Sequence, residues 1–556
     1  MFSAMRLYQA ILLALLASPI RALPQTVPGP STSSLQVSLA TGTFLGATTT
    51  AGIERWLGIR YAQPPVGALR FKAPLPLAPS PSTVVDASNY GNVCPQPANA
   101  ALGAPVAEDC LNLNVYRPQG TPANAKLPVL VWIYGGAFTS GASSVASLDP
   151  TRIINRSVEN GKPIMFVAFN YRVNTFGFLA SASVPPEDLN AGLQDQRAAL
   201  LFVKQNIAAF GGDPAKVTIW GQSAGGGSVE AHLVYPAPEP LFRAGIADSS
   251  TGPFKSSPDA ASYDLPGNPF ARLLAATGCS AGSGAFACLQ QLPYETLLNA
   301  SNSQIAATLN GQVWQPAVGP TGSLIPERAS ARIARGEFLR VPYLAGTNVN
   351  EGTSFSTTLR GLSLTGAAQD AAFDAFVASP LLASSAGTLP ASMLNRLHEL
   401  YPANDPQLGA PSNTGDSLFD RAAAWYTDAI YLAPRRLFFD QASKGQGKVW
   451  GYYFREVIPG NNAILGVAHS TDLQMLFGAL PAAAVDVEAE LANKMRDYYI
   501  NFVHDLNPGD DWPMYAPTSR NIMQLKRDNV TVIPDDWDVE KTNFLNSAEV
   551  LAEFQK

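Results

Sequence analysis

Short apolar runs recur along the chain, at residues 129–134, 164–169, 217–220, 246–247 with their flanks, 343–345 and 449–454. Runs this short and this apolar suit strands covered on both faces. Longer patterns with helical spacing lie between them, as at 194–209 and 488–506. In the second, Leu491, Met495, Tyr498, Phe502 and Leu506 fall on one apolar stripe, which reads as core packing. Strand and helix in alternation predict an α/β fold, a doubly wound, mostly parallel sheet with helices on both faces. There is no internal repeat. The Pro/Ser-rich stretch 24–34 reads as an N-terminal arm, and the Pro/Ala/Ser-rich stretch 75–83 as a surface loop. Neither resembles an interdomain linker, so residues 23–556 are expected to form one large domain.

One apolar run leads into a chemical motif. Residues 217–228 read VTIWGQSAGGGS, a β-branched strand entering Gly-x-Ser-x-Gly and then a helix. A strand-to-helix turn this tight strains the serine backbone and needs small neighbours. It lifts the Ser223 hydroxyl off the sheet as a nucleophile and leaves backbone N–H groups at a helix start, where an oxyanion can be held. The pattern occurs again at 278–282 as GCSAG. That copy follows a helix-like stretch ending at a glycine cap, with no strand before it, and reads as a loop.

Composition changes the picture in three ways. The chain has 556 residues, is 46% hydrophobic and 14% charged, and carries a net charge of −6. This is a globular composition, and the mild acidity argues against nucleic acid or an anionic membrane as a partner. The N-terminus has Arg6, an apolar stretch over 7–17 and small residues up to Ala22. That is the pattern of a secretory signal peptide over about residues 1–22, too short to span a bilayer. Four cysteines fit an oxidising compartment and allow three pairings; proximity favours Cys94 with Cys110 and Cys279 with Cys288. Sequons at Asn155, Asn299 and Asn529 each imply a surface loop if glycosylated.

A serine nucleophile needs a base, an orienting acid and an oxyanion hole. Of the four histidines, His232, His398 and His504 sit in helical patterns where packing or capping is the plain reading. His469 lies in the small-residue loop LGVAHSTD after the run 449–454. Loops at strand ends carry catalytic groups in such sheets. Glu351 occupies a similar loop, GTNVNEG, and precedes the histidine in the chain, as the acid should. The glycine-rich end of VWIYGGAF at 131–138 offers the second set of oxyanion N–H groups.

These residues, with LGIRYAQPPVGALRF at 57–71, EDCLNLNV at 108–115, NYRV at 170–173, GLQDQ at 192–196 and FGGDP at 210–214, resemble the type-B carboxylesterase/lipase family. This is the α/β-hydrolase group that includes cholinesterases and fungal secreted lipases. The resemblance spans nearly the whole mature chain. It implies Ser223 as nucleophile, His469 as general base and Glu351 as orienting acid. Gly136, Ala137 and Ala224 would supply the oxyanion N–H groups. The family's disulfides match Cys94–Cys110 and Cys279–Cys288. Its structural ion pairs match Arg70 with Glu108 and Arg172 with Asp195. No metal or cofactor is implied. Trp314 either lines an acyl pocket, by resemblance, or packs in the core.

Departures from the family narrow the substrate. Family cholinesterases hold a choline-binding tryptophan in the first disulfide loop. Here residues 95–109 contain no aromatic, and Gln222 stands where cholinesterases have glutamate. In the large fungal lipases the same loop is a long amphipathic lid; here it is short and only mildly apolar. Ala137 replaces the family's usual third glycine. The sequence therefore predicts a secreted serine esterase acting on soluble, small to medium carboxylic esters. The alternatives are a lipase or sterol esterase, a peptidase, and a non-catalytic adhesion domain of the kind that has lost the serine.

Overall fold

Strands with apolar side chains on both sides of the backbone form the middle of one large sheet. The structure is a computed structural model describing residues 35–382, 389–445 and 447–556. The expected signal segment and the arm over 24–34 lie outside the described residues. Residues Leu35–Lys556 form a single unit. In chain order the first strands are β1 (Gln36–Leu39), β2 (Gly42–Leu45), β3 (Ala47–Thr48), β4 (Ile53–Arg60), β5 (Val84–Asp86), β6 (Asn112–Pro118) and β7 (Leu127–Ile133). There follow β8 (Met165–Phe169), β9 (Gly212–Gln222), β10 (Ala244–Asp248), β11 (Tyr343–Asn348), β12 (Val449–Phe454), β13 (Asn521–Leu525) and β14 (Thr531–Pro534).

Strands β1, β2 and β5 make a small separate sheet. The large one has the order β14-β13-β12-β11-β10-β9-β7-β8-β6-β4-β3. Pairing is parallel from β8 through β7 and on to β13, and antiparallel at both margins. The parallel strands from β7 to β12 are the apolar runs of the sequence. Every residue of β8, β10 and β11 is buried, as helices on both faces require.

Helical spacing also translates into structure. The pattern at 488–506 is the helix Ala489–Asp505, with Leu491, Met495, Tyr498 and Phe502 buried. Leu506 ends it in a left-handed conformation, with φ of 60°. The pattern at 194–209 begins earlier than its apolar residues suggest, as the helix Ala191–Asn206. In the core, Trp220 of β9 stacks on Phe477 at 5.0 Å and meets Trp132 of β7 edge-on. These rings lock the strand that ends at the Gly-x-Ser-x-Gly turn to its neighbour.

Candidate active site

The turn at Ser223 is built by steric necessity. β9 ends at Gln222 and the helix Ala224–Val234 starts at the next-but-one residue. Ser223 between them has φ of 59° and ψ of −125°. A non-glycine residue there carries strain of about 1–3 kcal/mol, held in place by its surroundings. The flanking glycines permit the geometry. A Cβ at Gly221 would lie 2.2 Å from the Gly225 carbonyl oxygen, and one at Gly225 would lie 2.0 Å from that of Ile133. The Ser223 N–H donates to the Asp248 carbonyl at 2.9 Å, pinning the turn to β10.

Glu351 and His469 come from adjacent loops beyond the ends of β11 and β12. Asn350 pairs with Ala468, its N–H donates to the Val467 carbonyl at 3.0 Å, and the Thr353 hydroxyl donates to the Leu465 carbonyl at 2.7 Å. The loops are thus zipped together, and His469 Nδ1 reaches Glu351 Oε2 at 2.5 Å. Glu351 is fully buried; its other oxygen accepts from the Ser249 hydroxyl and the Asn348 N–H, both at 2.6 Å. With Nδ1 protonated toward the carboxylate, Nε2 is a bare acceptor. The Gln222 side-chain nitrogen lies 3.1 Å from it. The Tyr431 phenol lies close to the Ser223 hydroxyl. Tyr431 and Phe355 pack their rings on His469 at 4.9 and 5.2 Å. Burial raises the Tyr431 phenol well above its ordinary range, so it stays neutral.

The glycine-rich loop after β7 faces the nucleophile. A Cβ at Gly135 would come within 2.9 Å of the Ser223 Cβ. Gly136 has φ of 107°, and Ala137 sits in the left-handed region at 56°. Among the described residues, the N–H groups of Gly136, Ala137 and Ala224 have no acceptor. Gly136, Ala137, Gln222, Ser223, Phe355 and His469 line one cavity of about 450 Å³. A smaller polar cavity, bordered by Asp405, Asp428 and Lys541, contains none of these groups.

The first disulfide loop forms part of the cavity rim through Pro97 and Asn99. Cys94–Cys110 and Cys279–Cys288 are both bonded. The loop is held down along its length. Gln96 exchanges two hydrogen bonds with Gly141, and Leu102 is buried with Val93 and Ala142. The Ser144 hydroxyl donates to the Leu102 carbonyl.

The remaining candidates lie apart from this cavity. Ser280 is exposed in a loop after the helix Pro269–Thr277, which Gly278 ends with φ of 74°. His232 is buried against Gln196, and desolvation lowers it to about 3. His398 pairs with Asp374, and His504 with Asp505. Arg70 grips Glu108 with two bonds, and Arg172 does the same to Asp195 in the core. Trp314 is a core residue, 1% exposed, stacked on Tyr263 and donating to Thr175. The sequons do not all lie in loops. Only Asn529 lies in a turn; Asn155 and Asn299 sit on the helices Thr151–Glu159 and Tyr294–Ala306. The tripeptide does not encode a loop: asparagine and serine favour turns, but their cost in a helix is roughly a few tenths of a kcal/mol each, which tertiary context overrides. Sequence reasoning missed Tyr431, Phe355 and Ser249, since an aromatic in an apolar stretch or a lone serine carries no motif.

Residues 33–546 match the carboxylesterase family. The chain is 32% identical to secreted lipase 1 of Botryotinia fuckeliana, covering 91% of this chain and 92% of that one. It is 33% identical to para-nitrobenzyl esterase of Bacillus subtilis, covering 89% and 95%. Among solved structures, EstA of Aspergillus niger superposes with a TM-score of 0.79 at 28% identity, covering 94% of this chain and 99% of that one. With the family matched over almost its whole length and its α/β-hydrolase sheet in place, the chain belongs to the carboxylesterase family and is a carboxylic ester hydrolase.

Proposed function

We propose that the chain is a secreted serine esterase that cleaves soluble, small to medium carboxylic esters through an acyl-enzyme. The observation that carries this reading is the convergence of Ser223, His469 and the unoccupied N–H groups of Gly136 and Ala137 on one cavity, with Glu351 directly behind the imidazole and Ala224 next to the nucleophile. Ser223 attacks the ester carbonyl while His469 Nε2 takes its proton. For this transfer the Gln222 contact to Nε2 gives way to the Ser223 hydroxyl. The carbonyl oxygen becomes an oxyanion held by the N–H groups of Gly136, Ala137 and Ala224. The imidazolium, stabilised by Glu351, returns the proton to the departing alcohol. Water, activated by His469, then releases the acid.

The tethered disulfide loop supports the preference for soluble substrates. A lid that opens on a lipid surface must swing free, and this segment is short, disulfide-closed and hydrogen-bonded to its base. Secretion is supported by the signal-like N-terminus, the two disulfides and the secreted lipase among the relatives. A chain-length series of p-nitrophenyl esters, run below and above the solubility limit, tests the preference. The expected result is highest kcat/KM on short to medium acyl chains with no jump when an emulsion forms. A jump at the interface with long-chain preference would assign the chain to the lipases instead.

A further inference from the structure

A buried cation behind the cavity wall has no part in the chemistry above. Lys255 is only 7% exposed, and its ammonium donates to Oε1 of Gln312. Gln312 itself lines the cavity together with Ser223 and His469. The Tyr426 hydroxyl lies 3.4 Å from both ends of the Gln312 amide. The carbonyl end of that amide is therefore committed to the ammonium. Its N–H groups keep only the long contact to Tyr426 among the described residues. Rotating the amide would turn its N–H groups onto a cation, so the donor end stays where it is.

No carboxylate pairs with Lys255 among the described residues. The charge that acts on it is a second cation, the half-buried Lys556, whose ammonium donates to the Ala429 carbonyl. Burial pushes both lysines down to about 7. Ammonium groups out of water and without a counter-ion are costly, and an apolar side chain would fill the same space without that cost. An arriving anion would supply the missing counter-charge.

We propose that Gln312, backed by Lys255, is an anion subsite of the cavity, selecting esters that carry a carboxylate on the acyl or alcohol part. The inference rests on the esterase reading. The substrate carboxylate accepts from the Gln312 amide and is attracted by the ammonium behind it. Cationic alcohols are disfavoured by the same field.

Two substrate pairs test this on the full chain: 1-naphthyl hemiglutarate against 1-naphthyl pentanoate, and 3-carboxyphenyl acetate against phenyl acetate. The readout is the ratio of kcat/KM, anionic over neutral, within each pair. In Lys255→Met the ratio is expected to fall roughly ten-fold or more in at least one pair, as loss of a charge-assisted contact implies. Gln312→Leu is expected to lower the ratio in that same pair, and it serves alone if Lys255→Met does not fold. Ratios unchanged in both pairs overturn the subsite while leaving ester hydrolysis standing. Failure of the wild-type chain to turn over any of the four esters would instead strike the esterase reading itself.

Discussion

Glu351 is held by three donors, His469 Nδ1, the Ser249 hydroxyl and the Asn348 N–H, so its carboxylate cannot turn away from the imidazole. Replacing it with glutamine puts an amide where an acceptor is needed and favours the wrong imidazole tautomer. Glu351→Gln is therefore expected to lower kcat by roughly 10³–10⁴-fold with KM little changed, read from steady-state kinetics. A loss under ten-fold would remove Glu351 from the orienting role. Ser223, His469 and Glu351 were legible because each sits in a small-residue loop beyond an apolar run. Tyr431 was not. It comes from a π-helical turn, Asp428–Leu432, between two helices, and its position over His469 depends on packing across the fold. The contact of Gln222 with His469 was equally hidden, since it joins residues 247 positions apart.

At the scale of elements, the turn and the tethered loop make separate demands. Gly225→Ala would drive a Cβ into the Ile133 carbonyl, a backbone atom that cannot move without shifting β7. Overpacking of this kind costs about 1–3 kcal/mol or more, so the variant is expected to melt several degrees lower and lose activity together. Removing the first disulfide in a Cys94→Ala, Cys110→Ala double variant should cost about 3 kcal/mol by loop entropy. It should also raise KM, because Pro97 and Asn99 line the cavity. An unchanged KM in the folded double variant would mean that the loop does not shape the site. The central parallel strands, β7 to β12, could be read from sequence because burial on both faces makes them continuously apolar. β4, with Glu54, Arg55 and Arg60, and β13, with Asn521 and Gln524, lie toward the margins, where polar residues interrupt the run. Their pairing is decided by the neighbouring strand rather than by their own pattern.

The whole molecule buries many charged groups, and its stability should follow pH accordingly. Burial raises Asp248 to about 8 and Glu230 and Asp428 to about 7. These carboxyls hold protons in the fold at pH values where the unfolded chain has released them. The stability they confer is complete below about pH 4, their ordinary range, and is lost as pH rises through 7 to 8. His232, lowered to about 3, acts oppositely, adding stability as pH rises from 3 to its ordinary value of 6.5. With Glu488 also raised to about 7, the raised carboxyls outnumber the one lowered imidazole, so the melting temperature is expected to fall between pH 5 and 7. Above that, Lys255 and Lys556, both lowered to about 7, oppose further loss. A melting temperature that climbs between pH 5 and 7 would contradict this balance. The expectation of one domain rested on the lack of any linker, and Leu35–Lys556 form a single unit. The buried charges were not, because a lone Asp or Lys looks the same in sequence whether exposed or enclosed. The central claim is that Ser223, on its strained turn, is the nucleophile, and that Ser280 in the second copy of the motif is inert. Labelling the intact protein with a fluorophosphonate, then mapping the adduct by peptide mass spectrometry, tests both halves at once. The expected result is a single adduct on Ser223, full loss of ester turnover, and no labelling in Ser223→Ala. An adduct on Ser280, or turnover that survives in Ser223→Ala, would contradict it.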